Sequence, residues 1–383
     1  MPKKPVLAAI CTLVGFTIGA GILGIPFAVA KAGYFTGLLN IMLLGLFILT
    51  LNLCLGEVTQ RTKGIHQLAG YAKIYLGRKG YYLMLVVFTL FSYGALIAYI
   101  VKIGEFLGAV FIPILGGNEI TYSIVFFIFA FIIIYKGLSL VEKSETWMVV
   151  VMLALILIIT MIALPKASIE NLKGLDIKSF FVPYGVVLFA FAALPAIPSL
   201  NEELRKDRKE LKKVIIIGSL VPIIFYTVFA TIVIAVSGLE TTDGGIIGLA
   251  KYAGDKVLIL GSIFGILTMA TSFIAVAFAM KEMFHYDYKL KERSSSTFAC
   301  IIPLIVAVVL LDSGIKDLFF RILDITGTFG GSLEGILVVL IWLSAKKLGK
   351  RRPEYKISCP YLISIVLILM FLLGTVFEVI SWL

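Results

Sequence analysis

Charged residues are scarce in this chain: only 15% of its 383 residues are Asp, Glu, Lys or Arg, whereas 60% are apolar, and the mean hydropathy is +1.05. A water-soluble domain of this size needs far more polar surface, so that class is excluded. Histidine is almost absent, and His66 and His285 both fall at expected helix ends. No His/Cys/Asp/Glu grouping has the spacing of a metal site, and no cofactor is called for. The four cysteines, Cys11, Cys54, Cys300 and Cys359, lie in or beside four different hydrophobic runs with no CxxC pair, which reads as packing. HExxH, GxSxG and paired intramembrane aspartates at catalytic spacing are all missing, and the apolar runs leave no room for a soluble catalytic domain. An enzyme is therefore not expected. Nor does any span show the repeated polar face of a channel.

What the chain has instead is long apolar runs. A bilayer core about 30 Å thick needs roughly 20 apolar residues per helix. Eleven such runs are present, roughly 6–30, 36–58, 81–111, 120–137, 146–164, 178–200, 213–237, 256–281, 297–312, 320–344 and 358–381. The ninth and tenth are the least sharply bounded, because Asp312, Asp317 and Asp324 cluster at their junction. The expected fold class is thus an all-α integral membrane protein with eleven transmembrane helices. The formal charge of +11 is unevenly spread along them. If the spans alternate from an inner N-terminus, 25 of the 34 Lys and Arg fall on inner segments, eight on outer ones, and Lys102 alone lies within a run. That asymmetry is the positive-inside rule, so a multi-pass cell-membrane protein with a cytoplasmic N-terminus and an extracellular C-terminus is expected. The basic stretch NEELRKDRKELKK (201–213) then faces anionic lipid headgroups, and nucleic acid is not an expected partner. The N-terminus has a signal-peptide look, but its run is too long and contains Pro26, so it reads as a retained first span.

Two spans are interrupted, the first and the sixth. GFTIGAGILGIPFAVAKAG (15–33) carries four glycines and Pro26; PYGVVLFAFAALPAIPSL (183–200) carries Pro183, Gly185, Pro195 and Pro198. Pro26 and Pro195 are 169 residues apart, about five spans. Broken spans at matching positions of two halves point to an inverted repeat with the binding site between the breaks. The expected division is residues 1–165 as a first five-helix repeat, 166–345 as a second, inverted one, and 346–383 as an additional eleventh helix. Residues 60–80 carry a weakly amphipathic stretch expected to lie along the inner surface. Residues 238–255 read either as a short gating helix or as a plain surface loop.

GAGILG (19–24) fits the dinucleotide fingerprint G-x-G-x-x-G, but that motif needs a preceding strand and an acidic residue about 20 positions on, and neither is there. Its glycines serve a different use. They let a helix unwind and turn bare N–H groups toward an anion at the positive end of the next half-helix. Gly19, Ala20 and Gly21 thus read as a carboxylate cradle, the alternative being close helix packing through small residues. Pro26 is expected in the first turn of the following half-helix, where its missing N–H costs nothing. In span six, Phe189, Ala190, Phe191, Ala192 and Ala193 precede Pro195, which deprives the Phe191 carbonyl of a donor. Carbonyls freed there can accept from an α-ammonium, with Phe189 and Phe191 as apolar wall or plain packing. Lys102 and Glu105 share a face of span three, with Glu105 or Asp324 as partner for Lys102; the pairing is either local structure or an outer gate. Glu334 lies near the middle of span ten, and Glu57, at the inner end of span two, is expected to snorkel or pair with Arg61. Thr268, Thr271 and Ser272 place hydroxyls on one stripe of span eight; with carbonyls from Gly15 and Ile18 they can hold a sodium ion, or they bond their own helix. A proton carried by Glu334 or Asp324 is the other option for a coupling ion.

IGAGILGIPFAVAKAGY (18–34) resembles the first helix of the amino acid–polyamine–organocation superfamily, nearest to its amino acid/auxin permease and hydroxy-aromatic amino acid permease branches. The stretches 183–213 and ILDITGTFGGSLEGILVVLIW (322–342) are similar to the sixth and tenth helices of the same families. The resemblance implies the leucine-transporter-like fold of five plus five inverted helices, with helices 1 and 6 discontinuous. By it, Thr17, Ala20, Gly21 and Phe189 hold the amino acid backbone, Ala190 and Ala193 flank it, and Gly15, Ile18, Thr268, Thr271 and Ser272 match the sodium site of many members. Some relatives put a lysine of helix five in place of that ion; span five here has none. Lys102 departs from the family pattern. The function implied is secondary active import of amino acids by sodium or proton symport through alternating access. The expected partners are the amino acid and the bilayer, with no obligate protein partner. Two alternatives stand: an amino acid sensor or receptor on the same scaffold, although such proteins usually carry long cytosolic tails, and a proton-coupled amine or organocation transporter.

Overall fold

The computed structural model describes residues 4–64, 66–136, 145–286 and 288–382; Lys3 and Lys143, both counted above on the basic side, lie outside them. All regular structure among the described residues is helical. Among the described residues eight helices are long and apolar enough to cross a membrane, and nine if a bent pair is taken as one span. That pair is α1 (Lys4–Thr17) and α2 (Gly21–Ala32), inclined at 55°. It is followed by α3 (Tyr34–Arg61), α4 (Leu68–Leu115), the shorter α5 (Glu119–Lys136) and α6 (Glu145–Ala163). The sixth run is a second broken helix, α7 (Tyr184–Ala190) and α8 (Ala196–Glu203). Then come α9 (Leu211–Ser237), the short α10 (Ile246–Ala253), α11 (Asp255–Tyr286) and α12 (Glu292–Asp312). Next is a tenth span of α13 (Leu318–Ile325), a π-helical turn (Thr326–Gly331) and α14 (Ser332–Leu348), and finally α15 (Pro360–Trp382). Each of the eleven expected runs therefore corresponds to a helix or a broken helix.

Local chemistry explains the irregularities. The amphipathic stretch continues directly into the third span, and Gly77 turns the corner with φ 74° and ψ −163°, where an L side chain would be strained. Residues 238–255 do hold a helix, α10, so of the two readings of this segment the helical one is found. One expectation fails. Pro26 sits in the second turn of α2, not the first, because the helix already opens at Gly19–Gly21 and restarts at Gly21. The two broken helices lie against each other at the centre of the bundle, α1 beside α8 and α2 beside α7, and α3 packs along α9. Gly21 makes the crossing possible: any Cβ there would overlap the Ala190 backbone.

Candidate functional site

The two breaks expose opposite backbone groups. In span one the Gly19 N–H turns back to Thr17 O (3.0 Å), and helical bonding resumes with Leu23 N–H to Ala20 O (3.0 Å). The N–H groups of Ala20 and Gly21 have no backbone acceptor among the described residues, as expected for the first turn of a helix. Because Gly19 folds back, Gly15 O also loses its helical donor, although Gly15 itself lies in the last turn of α1 and not in the unwound stretch. In span six, Phe191 N–H reaches Val187 O (3.1 Å) and Ala192 N–H reaches Phe189 O (3.1 Å), after which bonding stops until Ala196 N–H to Ala193 O (3.1 Å). Phe191 O and Ala192 O receive no backbone donor among the described residues; the residue that would supply Phe191 O is Pro195. Bare donors thus belong to the span-one break and bare acceptors to the span-six break; Ala20, Gly21 and Ala192 line the cavity between them, Phe191 does not, and α2 begins there with its positive end.

Tyr226 of α9 ties the breaks together. It is fully buried, and its hydroxyl donates to Thr17 O (2.7 Å) and Ala190 O (2.8 Å), one proton shared between the last carbonyls of α1 and α7. The Thr17 hydroxyl itself bonds back to Leu13 O (2.7 Å), so Thr17 offers the gap its backbone and not a free side chain.

A cavity of about 90 Å³ lies at the gap. Nine of the fourteen candidate residues line it: Gly15, Thr17, Gly19, Ala20, Gly21, Phe189, Ala190, Thr271 and Ser272. Ile18, Ala193 and Thr268 are buried but do not line it. The Thr268 hydroxyl bonds Gly265 O (3.0 Å) and that of Thr271 bonds Thr268 O (2.9 Å), so both engage their own helix. Phe91 of α4 stacks on Phe189 with ring centroids 5.5 Å apart and closes the apolar side with Val149, Met152 and Val276. A Cβ placed on Gly19 would stand 3.1 Å from Ser272 Oγ and 3.6 Å from the Tyr99 hydroxyl, so a polar corner adjoins the glycine turn. Tyr226, Tyr99 and Phe91 were not singled out from the sequence. A hydroxyl buried in an apolar span such as Tyr226 must find a partner, which is a usable signal; an aromatic like Phe91 carries none.

Lys102 and Asp324, the remaining two candidates, stand apart. Lys102 is wholly buried and pairs with Glu105 (2.5 Å) and with Asp243 (3.0 Å) from the segment before α10. Glu105 was an expected partner; Asp324 is replaced by Asp243, because Asp324 turns to the α7 side, where it packs on Gly185 with Thr328. Gly244, next to Asp243, lies directly on the Lys102 side chain, and Gly245 lies over Leu23 O and Pro26 of α2. The lysine is therefore matched by two carboxylates at a closure above α2, and it does not face the cavity. At the opposite, basic end, Glu57 is also fully buried and accepts from Arg61 (2.7 and 2.9 Å), as expected, and from Trp342 (2.9 Å) and the Ile357 N–H (3.1 Å), with Lys346 3.1 Å away.

This geometry, two interrupted helices offering donors and acceptors across a small apolar cavity, sits within a sequence whose residues 2–380 match the tryptophan/tyrosine permease family. The chain belongs to that family. The permease is 26% identical over 318 residues to Glutamine transporter 2 of Aliivibrio fischeri, covering 78% of this chain and 80% of that protein. It is 29% identical over 287 residues to Tyrosine-specific transport system 1 of Haemophilus influenzae, covering 70% of each. Its structure is similar to that of MhsT in complex with L-phenylalanine, with a TM-score of 0.75 at 13% identity over 99% of this chain and 98% of the other. At that identity the likeness speaks for the fold, which is the leucine-transporter type with discontinuous helices 1 and 6. Of the two branches resembled, the hydroxy-aromatic permease branch is the one found. The permease is a multi-pass membrane protein of a transporter family, not an enzyme.

Proposed function

We propose that this permease imports a neutral amino acid by cation symport, binding the substrate's carboxylate at Ala20–Gly21 and its ammonium at Phe191–Ala192. The observation that carries this reading is that Ala20 and Gly21, with bare N–H groups, and Ala192, with a bare carbonyl, line one cavity, Phe191 O being freed beside it. A zwitterion has complementary charge, and broken backbone at membrane depth belongs where a cavity or bound group satisfies it. The stacked Phe91 and Phe189 beside Met152 suit an aromatic or bulky apolar side chain. The relatives' names add tyrosine and glutamine as the first compounds to try. The same site on a sensor would bind without turnover, and an amine transporter would ignore the carboxylate.

Orientation follows the positive-inside asymmetry, with the N-terminus cytoplasmic. On that orientation the Lys102–Glu105–Asp243 cluster is the outer closure and the Glu57 cluster the inner one. Substrate and cation favour the same closed state, which is what couples their binding. For sodium, the available oxygens are Thr271, Ser272 and the freed Gly15 carbonyl, with Ile18 and Thr268 behind them.

Counterflow in liposomes with labelled L-tyrosine, L-phenylalanine and L-glutamine, with and without sodium, tests the reading. Exchange of at least one supports it; binding without exchange points to a sensor. Thr271→Ala is expected to raise the sodium requirement about tenfold if the ion sits there, a loss of one ligand worth about 1.4 kcal/mol. An unchanged sodium response places the ion elsewhere.

A further inference from the structure

Glu334 opens the first helical turn after the π segment, is 2% exposed, and its carboxylate makes no hydrogen bond or ion pair among the described residues. Such a group in a membrane span is costly when ionised, and it is retained where it does something. Its surroundings connect it to the cavity. Gly330, one turn earlier on the same face, packs on Phe91, the ring that stacks on Phe189. Gly94 packs on Thr326 and Phe91 on Gly330, so α4 runs antiparallel to this span and packs along α14; Val87 and Met84, one and two turns before Phe91 on α4, are buried. The π segment also carries Gly327, which lies against Gly185 O and the Phe189 N–H of α7. One face of this segment therefore touches the substrate-binding half-helix and the other continues into Glu334. π-helical turns inside α-helices recur at functional sites.

We propose that Glu334 is a proton-binding site that takes up and releases one proton per transport cycle, coupled to substrate through the π segment. This rests on the permease reading above and deepens it by naming a coupled ion. Protonated, the side chain is neutral and fits the apolar wall between α14 and α4. Ionised, it needs water, so the wall beside Gly330 must open, and that shifts Phe91 and Phe189 away from the substrate. The O–H bond forms with a proton taken from water on the entry side and breaks to water on the exit side, so charge and mass balance over the cycle.

Other titratable groups on the packed elements are accounted for. On α3, Glu57 is held by Arg61, Lys346 and Trp342, and Trp342 lies eight residues beyond Glu334. On α15, Glu378 lies near Ser381, and Tyr184 of α7 bonds Ser332 (2.7 Å). On α13, Asp324 packs at Gly185. On α4, Tyr81 and the exposed Tyr82 precede the Met84–Val87 level, and Tyr93, whose hydroxyl donates to Phe298 O (3.0 Å), and Tyr99 follow it.

The test compares wild type, Glu334→Gln and Glu334→Asp in sodium-free liposomes, using whichever of labelled L-tyrosine or L-glutamine the wild type exchanges. A one-unit pH gradient supports about tenfold accumulation by one-proton symport. Wild type should reach it, and Glu334→Gln should only equilibrate while keeping counterflow within about threefold of wild type. Glu334→Asp should keep counterflow and shift the pH midpoint of driven uptake. Full accumulation by Glu334→Gln overturns the proposal, as does loss of its counterflow in a protein that still elutes as a single species. If Glu334→Gln does not fold, an unmoved midpoint in Glu334→Asp overturns it. Absence of exchange in wild type itself would instead refute the permease reading.

Discussion

The two broken spans reach the same end by different chemistry. Span one opens at glycine: the Gly19 N–H folds back on Thr17 O, Gly21 leaves room for the Ala190 backbone, and helical bonding then restarts with its first donors bare. Span six is opened by proline: Pro195 removes an N–H, so acceptors are left bare at Phe191 and Ala192. A turn that frees donors and a ring that deletes one generate opposite polarity. A pair of such breaks is therefore a complementary binding site for a zwitterion, where two glycine breaks or two proline breaks would not be. Tyr226 touches both ends: its hydroxyl donates to Thr17 O and to Ala190 O, so the carbonyl next to the carboxylate cradle does not stand bare.

The comparison can be broken most severely at Gly21. Gly21→Val would push a side chain into the Ala190 backbone and separate the half-helices. Uptake should fall about 100-fold, the scale of a misplacement of about 1 Å at a site, while surface expression persists. Normal uptake would remove the cradle. A smaller effect is expected from Tyr226→Phe, which unmasks two carbonyls at a cost of about 1–3 kcal/mol. Apparent affinity should weaken about tenfold, measured as the concentration for half-maximal exchange, with little change in thermal stability beyond that amount. The smallest effect is expected from Pro195→Ala, which offers Phe191 O a donor and so tests whether proline alone keeps span six open. Uptake should drop about three- to tenfold, in line with the roughly 1 kcal/mol net value of one hydrogen bond. An unaffected rate would mean that the break is held by packing.

Both breaks were legible in the chain because their causes are local. Glycine and proline act on the backbone within four residues, and eleven apolar runs declare themselves by length alone. What was not legible lies far apart in sequence. Asp243 meets Lys102 across 141 positions, and Tyr226 meets Thr17 across 209. Hydropathy points to Asp324 as a partner for Lys102 because it lies within an expected span, whereas Asp243 sits in a connecting segment whose path hydropathy does not describe. Pro26 was misplaced for a related reason: its own chemistry permits a first-turn position, but the glycines ahead of it open the helix five residues sooner. The hydroxyl stripe of span eight was found, yet which hydroxyl faces the cavity depends on helix rotation, and Thr268 turns away where Thr271 and Ser272 do not.

The central claim is that both charged ends of the substrate are held by backbone at the breaks. It is tested most directly by competition for binding of labelled L-tyrosine, or of whichever amino acid the purified protein binds. The competitors are the same molecule lacking its carboxylate and the same molecule lacking its ammonium. The account predicts that each truncated competitor binds about 100-fold more weakly, or worse, since each leaves a set of buried polar groups unpaired. Equal competition by either one would contradict it.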